Sequence, residues 1–498
     1  MSGKVTAALV IVGVAMGGGA AIAQDESPQD PPWQTFITAA GPDRRLAGAA
    51  LADIASRWRN GFASMLVDLA RLLPPARRPR FGDEVSAIRP SRGDDDGADP
   101  SSDRPRADIP AVPASRPGAD IRRRLIDFLA RQTGQRFDDD LRAWRRWMWS
   151  LPAAPHPEYA AFKAEVYGRL DPAFRRFFKD ATHARIRLDE IDWGGVGVNG
   201  IPPLRRPKHV SPSEASWLRD NHIVFGIEVN GEARAYPKRI LAWHEMATDS
   251  LGGVDVTVVY CTLCGTVIPY ESSVGGRRFT FGTSGLLYRS NKLMFDEETS
   301  SLWSALEGVP VVGPLAASDL RLPFHSVVTT TWAEWKRDHP STTVVSIETG
   351  YERDYAEGAA YREYFATDRI MFEVPVSDTR LKNKAEVLAV RTGGPDPSTP
   401  PLAIAVERLR REPVFNIDIG GYRLVVVTSP GGTNRVFQRN AETFSGTSHD
   451  IRDAGGRRWT VTRDALVSED GARLAAVPTH RAFWFGWVAQ FPDTMLVR

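Results

Sequence analysis

Trp332-Ala-Glu-Trp335-Lys-Arg-Asp-His-Pro340-Ser-Thr342 returns near the end of the chain as Trp484-Phe-Gly-Trp487-Val-Ala-Gln-Phe-Pro492-Asp-Thr494, with both tryptophans, the proline and the threonine at the same spacing. Upstream of each, Leu241, Gly252-Gly253 and Val256-Thr-Val-Val259 align with Leu409, Gly420-Gly421 and Leu424-Val-Val-Val427. The segment Val224-Phe-Gly-Ile-Glu-Val-Asn-Gly231 aligns with Val387-Leu-Ala-Val-Arg-Thr-Gly-Gly394. Self-similarity on this scale marks one structural unit used twice. The runs between the matches are short, β-branched and broken by Gly, Asn and Pro, which is strand-and-turn chemistry. The fold class that follows is α+β: an N-terminal helical segment, then an internally duplicated, mostly β C-terminal domain. Copy one spans residues 186–385 and copy two residues 386–498, and the two are expected to pack about a pseudo-twofold axis.

A duplication separates scaffold from chemistry. Residue types held in both copies serve the fold, which covers Trp332, Trp335, Trp484 and Trp487, and Trp303 with Trp459. Copy one alone has His244, Tyr260, Cys261, Cys264 and Met294, and where it has its cysteines copy two has the plain turn Ser429-Pro-Gly-Gly432. Cys261-Thr-Leu-Cys264-Gly265 ends a β-branched run. Two sulfurs two residues apart face one point if the backbone between them forms a tight knuckle, and a following glycine permits the left-handed turn. That is half of a tetrahedral metal site. With no other cysteine in the chain, the remaining ligands must come from elsewhere: His244 first, with Met294 and His325 weaker. Two soft sulfurs and an imidazole suit zinc or copper. The same pair also fits an exchanging redox disulfide, although the strand-like Val267-Ile-Pro-Tyr270 that follows is not the helix such thiols usually cap. The third alternative is a structural disulfide or a pair of buried thiols. His222, His339, His449 and His480 have no partner in the pattern.

Several motifs occur in order: Ile191 to Pro203, Ala235-Tyr-Pro237, Trp243-His244-Glu245, Tyr260-Cys-Thr-Leu-Cys-Gly265, Phe281-Gly-Thr-Ser-Gly-Leu-Leu-Tyr288, Leu293-Met-Phe-Asp296 and Thr299-Ser-Ser-Leu-Trp303. Together they resemble the bacterial and archaeal family called domain of unknown function 3179, over roughly residues 185–498. That resemblance implies no activity, substrate or cofactor.

Toward the N-terminus, Lys4, the apolar stretch Val5 to Met16 and Ala21-Ile-Ala23 read as a signal peptide over residues 1–23, cut before Gln24. The expected location is periplasmic or secreted, with no stable membrane insertion after cleavage. Residues 24–73 show apolar residues at three- and four-residue steps (Leu51, Ile54, Trp58, Phe62, Leu66), as does 120–185 (Leu125, Phe128, Trp144, Met148, Phe162, Val166), and both read as helical. Residues 74–119 are rich in Pro, Arg and Asp, cannot bury enough apolar surface to offset chain ordering, and read as a disordered linker.

The 498 residues are too many for one compact domain, and 42% hydrophobic with 25% charged is an ordinary folded composition. With 63 Lys and Arg against 61 Asp and Glu there is no basic excess, so nucleic acid is not an expected partner. Three functions remain. One is an exported binding or accessory protein with a metal site at Cys261, Cys264 and His244. Another is a thiol-disulfide oxidoreductase or hydrolase working in a cleft between the copies. The last is a structural envelope module whose N-terminal helices bind a partner protein.

Overall fold

The computed structural model describes residues 30–73, 117–179, 183–391, 399–462 and 464–498. The expected signal peptide at 1–23 and nearly all of the expected linker at 74–119 lie outside the described residues; residues 117–119, assigned to that linker, instead open a helix, Pro117–Thr133.

The helical segment comprises Trp33–Ala39, Arg44–Ser56, Ala63–Arg71, Pro117–Thr133, Leu141–Ser150 and Tyr159–Gly168. Two of these start on an aspartate: Asp43 accepts from the backbone N–H groups of Arg45 and Leu46, and Asp140 from those of Arg142 and Ala143, which satisfies donors a helix start leaves open. The apolar stripes converge. Leu66, Phe128, Trp144 and Phe162 share one core with Leu286, Phe295 and Val311 of a five-stranded sheet, so the helices are layered on the β domain. That sheet runs Ile191–Trp193, Phe281–Tyr288, Asn291–Asp296, Leu302–Ser304 and Val309–Val312, in that order. Among the described residues no helix is long and apolar enough to cross a membrane.

The duplication is explicit in the strand pairings. In copy one, Ile223–Val229 pairs antiparallel with Val327–Thr331 on one side and with Glu232–Pro237 on the other, and Glu232–Pro237 pairs parallel with Thr343–Val345. In copy two, Glu386–Val390 stands between His480–Phe483 and Leu402–Ala405 in the same senses, and Leu402–Ala405 pairs parallel with Met495–Val497. A helix carrying the tryptophan pair, Trp332–Asp338 or Trp484–Gln490, precedes the last strand of each. The hairpin Met246–Leu251 with Val254–Cys261 corresponds to Val414–Ile419 with Tyr422–Thr428. Both turn on two glycines with positive φ, 57° and 76° at Gly252-Gly253 and 54° and 85° at Gly420-Gly421, a conformation that would strain side-chain-bearing residues.

The shared residues make the same bonds twice. The Trp335 indole donates to Thr342 Oγ1 at 2.9 Å and the Trp487 indole to Thr494 Oγ1 at 3.0 Å. The Trp303 indole donates to Asp296 at 2.8 Å and the Trp459 indole to Asp453 at 3.0 Å. All four tryptophans are buried, as residues that serve the fold should be.

Candidate functional site

The strand Val254–Cys261 turns into Thr266–Glu271 through the cysteine loop, with Cys261 paired to Thr266. Cys261 and Cys264 form a disulfide with their Cα atoms 5.5 Å apart. The loop is sealed: Cys261 is 4% exposed and Cys264 0%. Its carbonyls hold what covers it, since the Tyr364 hydroxyl donates to Leu263 O at 2.7 Å and the Phe483 N–H to Cys264 O at 2.7 Å.

The other expected ligands point elsewhere. His244 ends the helix Lys238–His244; its Nδ1–H donates to Pro202 O at 2.8 Å, and its Nε2 accepts from the Tyr355 hydroxyl at 2.5 Å. Burial, partly offset by the Pro202 bond, lowers its pKa to about 4, so the ring is neutral with both nitrogens engaged. Met294 is buried with Trp303 and Phe281, in a different cluster from the cysteines. The structure thus does not bring Cys261, Cys264, His244 and Met294 to one point: the sulfurs bond each other and the imidazole bonds Pro202 and Tyr355. Among the described residues no group of three or more His, Cys, Asp or Glu is placed to hold a metal ion. Next to His244, Glu245 adopts a left-handed φ of 55°, and its buried carboxylate takes Lys292 Nζ at 2.8 Å and the Tyr361 hydroxyl at 2.9 Å. Burial lowers the Lys292 pKa against the opposing pull of Glu245.

A disulfide closing so short a loop removes little chain entropy from the unfolded state, about 2 kcal/mol. Replacing both cysteines by serine is therefore expected to cost about 2 kcal/mol of unfolding free energy in urea titration. A loss above about 4 kcal/mol would show that the loop, rather than the strands flanking it, organises copy one.

The cysteine loop belongs to a reciprocal exchange between the copies. Each copy's loop at this position docks on the tryptophan helix of the other. The loop of copy one lies against Gly486, where an added Cβ would come within 2.8 Å of the Cys264 Cβ, so only glycine admits it. The loop of copy two lies against Glu334, which holds the same place in its helix as Gly486, two residues after the first tryptophan. The buried Glu334 carboxylate accepts from the hydroxyls of Ser429, of Thr433 at 2.5 Å and of Thr330 at 2.9 Å, and from the Gly431 N–H at 2.7 Å. Burial alone would raise its pKa; these donors more than offset that and hold it below the usual carboxylate range. One loop is clamped by a disulfide, its counterpart by a carboxylate. Glu334→Ala leaves several buried donors without an acceptor and is expected to cost about 1–3 kcal/mol for each that water cannot reach, measured by chemical denaturation. A change below about 0.5 kcal/mol would mean the clamp carries no load.

The two halves of this seam differ in what fills them. Where the helix of copy two meets the strands of copy one, the space is core: Ile268, Trp303, Trp487 and Val488 are buried there and Phe491 packs against them. Where the helix of copy one meets the strands of copy two, the equivalent positions surround a cavity of about 390 Å³. Arg435 stands there in place of Ile268 and His339 in place of Phe491, with Glu228, Asp338, His449 and Trp459 also on the wall. The His339 ring stacks on Trp335 at 3.9 Å between centroids and lies 3.8 Å from Glu228. Burial is the largest influence on the Arg435 guanidinium and lowers its pKa, opposed by the charges of Glu228, Asp338 and Glu334. A second cavity of about 420 Å³ continues along the seam and shares Ser429 and Ser448 with the first.

Residues 198–494 match the family described as "Protein of unknown function (DUF3179)". The chain belongs to that family. No curated protein and no solved structure matches it. The DUF3179 match ends at Thr494, the hydroxyl that receives the Trp487 indole, so the seam and nearly all of both copies lie within the family's extent.

The seam residues were within reach of the sequence. Weighing residues found only in copy one leads to the cysteines; weighing those found only in copy two, in the same register, leads to Arg435. His339, unassigned in the sequence, is the residue opposite Phe491 in the aligned helices.

Proposed function

We propose that this DUF3179 protein is an exported binding protein whose ligand occupies the polar half of the seam between its two copies. The observation that carries this is the contrast between equivalent places: one scaffold, built twice, is filled by apolar side chains on one side and left as a cavity walled by charged and aromatic residues on the other. Burying charge costs stability, and a site that takes a ligand is a physical reason to keep a half-buried arginine such as Arg435 where its counterpart is an isoleucine. The cysteine pair serves as a staple in this reading, since a sealed disulfide gives a thiol partner no line of attack. A disulfide also supports export, because oxidising compartments are where such bonds persist.

The test copies one half of the seam into the other. His339→Phe with Arg435→Ile reproduces the side chains of the filled half. The double variant is expected to keep or gain thermal stability and to lose any small molecule that native mass spectrometry finds on the wild type after gentle purification. Retention of the same molecule by the filled variant would sink the assignment. The export component predicts a mature chain beginning at Gln24 in the periplasmic fraction, read by N-terminal sequencing.

A further inference from the structure

From the way the two copies are joined we infer that residues 356–367 form a strap that opens while both copies stay folded, with the Tyr361–Glu245 bond as its latch, and that the closed strap is what shields Cys261–Cys264 from reductants. The inference stands apart from the seam site, and it takes the disulfide of the closed form as the staple already described.

Between the last strand of copy one, Thr343–Val345, and the first of copy two, Glu386–Val390, the chain leaves the sheets. Residues 346–385 contain no strand, and their one helix is the four-residue Arg362–Phe365. Irregular connections of this length are uncommon in compact domains and are where lids and binding loops occur. Each end of the strap is tied down. On one side the Tyr355 hydroxyl bonds His244 Nε2, and the Trp243 indole donates to Asp354 O at 2.7 Å. On the other, the Asp368 carboxylate accepts from the N–H groups of Asn383 at 3.1 Å and Lys384 at 2.9 Å.

The stretch between these ties is held by a few side chains. The Tyr361 hydroxyl donates to Glu245 Oε1 at 2.9 Å, the Tyr364 hydroxyl to Leu263 O at 2.7 Å, and Lys384 Nζ to Thr367 O at 2.7 Å and to Tyr364 O. Of residues 356–367 only Ala360 and Tyr364 are buried. A segment with so little buried surface and no ladder is one that opens locally, well below the cost of unfolding the strands beneath it. The latch itself is strained at both ends. Glu245 and Tyr361 have left-handed φ angles of 55° and 56°, a conformation rare for a glutamate and rarer for an aromatic residue, and strain of this kind gathers at switches. Opening frees Tyr361 to relax. It also uncovers the disulfide, because Tyr364 is buried in the same apolar cluster as Cys261, Leu263 and Cys264, and Tyr361 and Phe365 pack against that cluster.

The test compares wild type, Tyr361→Phe and the double variant Tyr361→Phe, Tyr364→Phe, each purified with the disulfide intact. Tris(2-carboxyethyl)phosphine is the reductant, maleimide traps the freed thiols for mass spectrometry, and the series is repeated in urea below the unfolding transition. Hydrogen exchange is read in the same samples on residues 356–367, on the strand Val254–Cys261 and on the helix Trp484–Gln490. In wild type, reduction is expected to depend only weakly on urea, and the strap amides to exchange ahead of the strand and the helix. Phenylalanine keeps the packing but leaves Glu245 and Leu263 O short of a donor in the closed form, so the double variant should be reduced about tenfold faster, the single variant less so, with exchange of the helix unchanged. Exchange at the helix also shows whether each variant is folded. Reduction with the full urea dependence of global unfolding would overturn the strap, as would strap amides that exchange only together with the strand and helix. Unchanged reduction in the double variant, or a gain matched by equal loss of protection at the helix, would overturn the latch.

Discussion

Trp487→Ala is expected to lower the unfolding free energy by about 3–5 kcal/mol, and Trp335→Ala by a similar amount, as large-to-small changes in well-packed cores do. Both indoles are buried, and each bonds a threonine hydroxyl seven residues on, so truncation opens a void and orphans a polar group in the same place. Trp335 is also the surface on which His339 stacks, so its loss collapses the wall of the seam cavity as well as the sheet beneath it. Phenylalanine at either position keeps most of the packing and is expected to cost less than half as much. Denaturant titration of the four variants decides the matter. Near-neutral behaviour of either alanine variant would show that the repeated tryptophans are not what the two copies are built on.

Asp192→Ala should have an effect of the same size, because it strips the counter-charge from a buried arginine. Asp192 sits on the first strand of the five-stranded sheet and accepts from Arg145 at 2.5 Å and from Arg71, both on the helical layer. Breaking a buried pair by removing one partner typically costs about 3–5 kcal/mol, and the Arg145 side chain is only 5% exposed. Burial disfavours the Asp192 carboxylate, but Arg145 and then Arg71 more than compensate and hold its pKa below the ordinary aspartate value. A depressed folded pKa contributes stability that is present above the unfolded value of about 4 and lost as pH falls through the folded one. Acid titration should therefore destabilise the wild type more steeply below about pH 4 than it does Asp192→Asn, which has no proton to take up there. Parallel curves would remove Asp192 from the account of how the helices are held on.

The sequence made the duplicated β architecture legible because its markers act locally. Gly252-Gly253 and Gly420-Gly421 set hairpin turns whatever lies around them, and the spacing from Trp335 to Thr342 or Trp487 to Thr494 fits one helix, one turn and one strand start. The helices of the N-terminal layer were legible through their periodicity for the same reason. The disulfide was among the alternatives the cysteine pair offered, but the choice between them was not legible, because a metal reading needs convergence of His244 and Met294 on the sulfurs, and convergence is a property of packing rather than of spacing. His244 lies close to the cysteine strand in the chain, yet Pro202 and Tyr355, which take its nitrogens, come from segments on either side of it. Glu334 was invisible in a related way. Its four donors come from Thr330 beside it and from the Ser429 loop of the other copy, which nothing in the local sequence connects to it.

The polar half of the seam has a consequence for what a tandem chain can do that two identical chains cannot. In a twofold homodimer every substitution appears at both symmetry-related places, so an arginine that opens one side of the interface must open the other. Here the two places are encoded separately. Ile268 and Phe491 close one side as core while Arg435 and His339 open its mate, where the Glu334 clamp still joins the two units. Symmetry is retained where it stabilises and broken at the cavity, so a ligand held there, as proposed, would bind once per chain rather than at two coupled places.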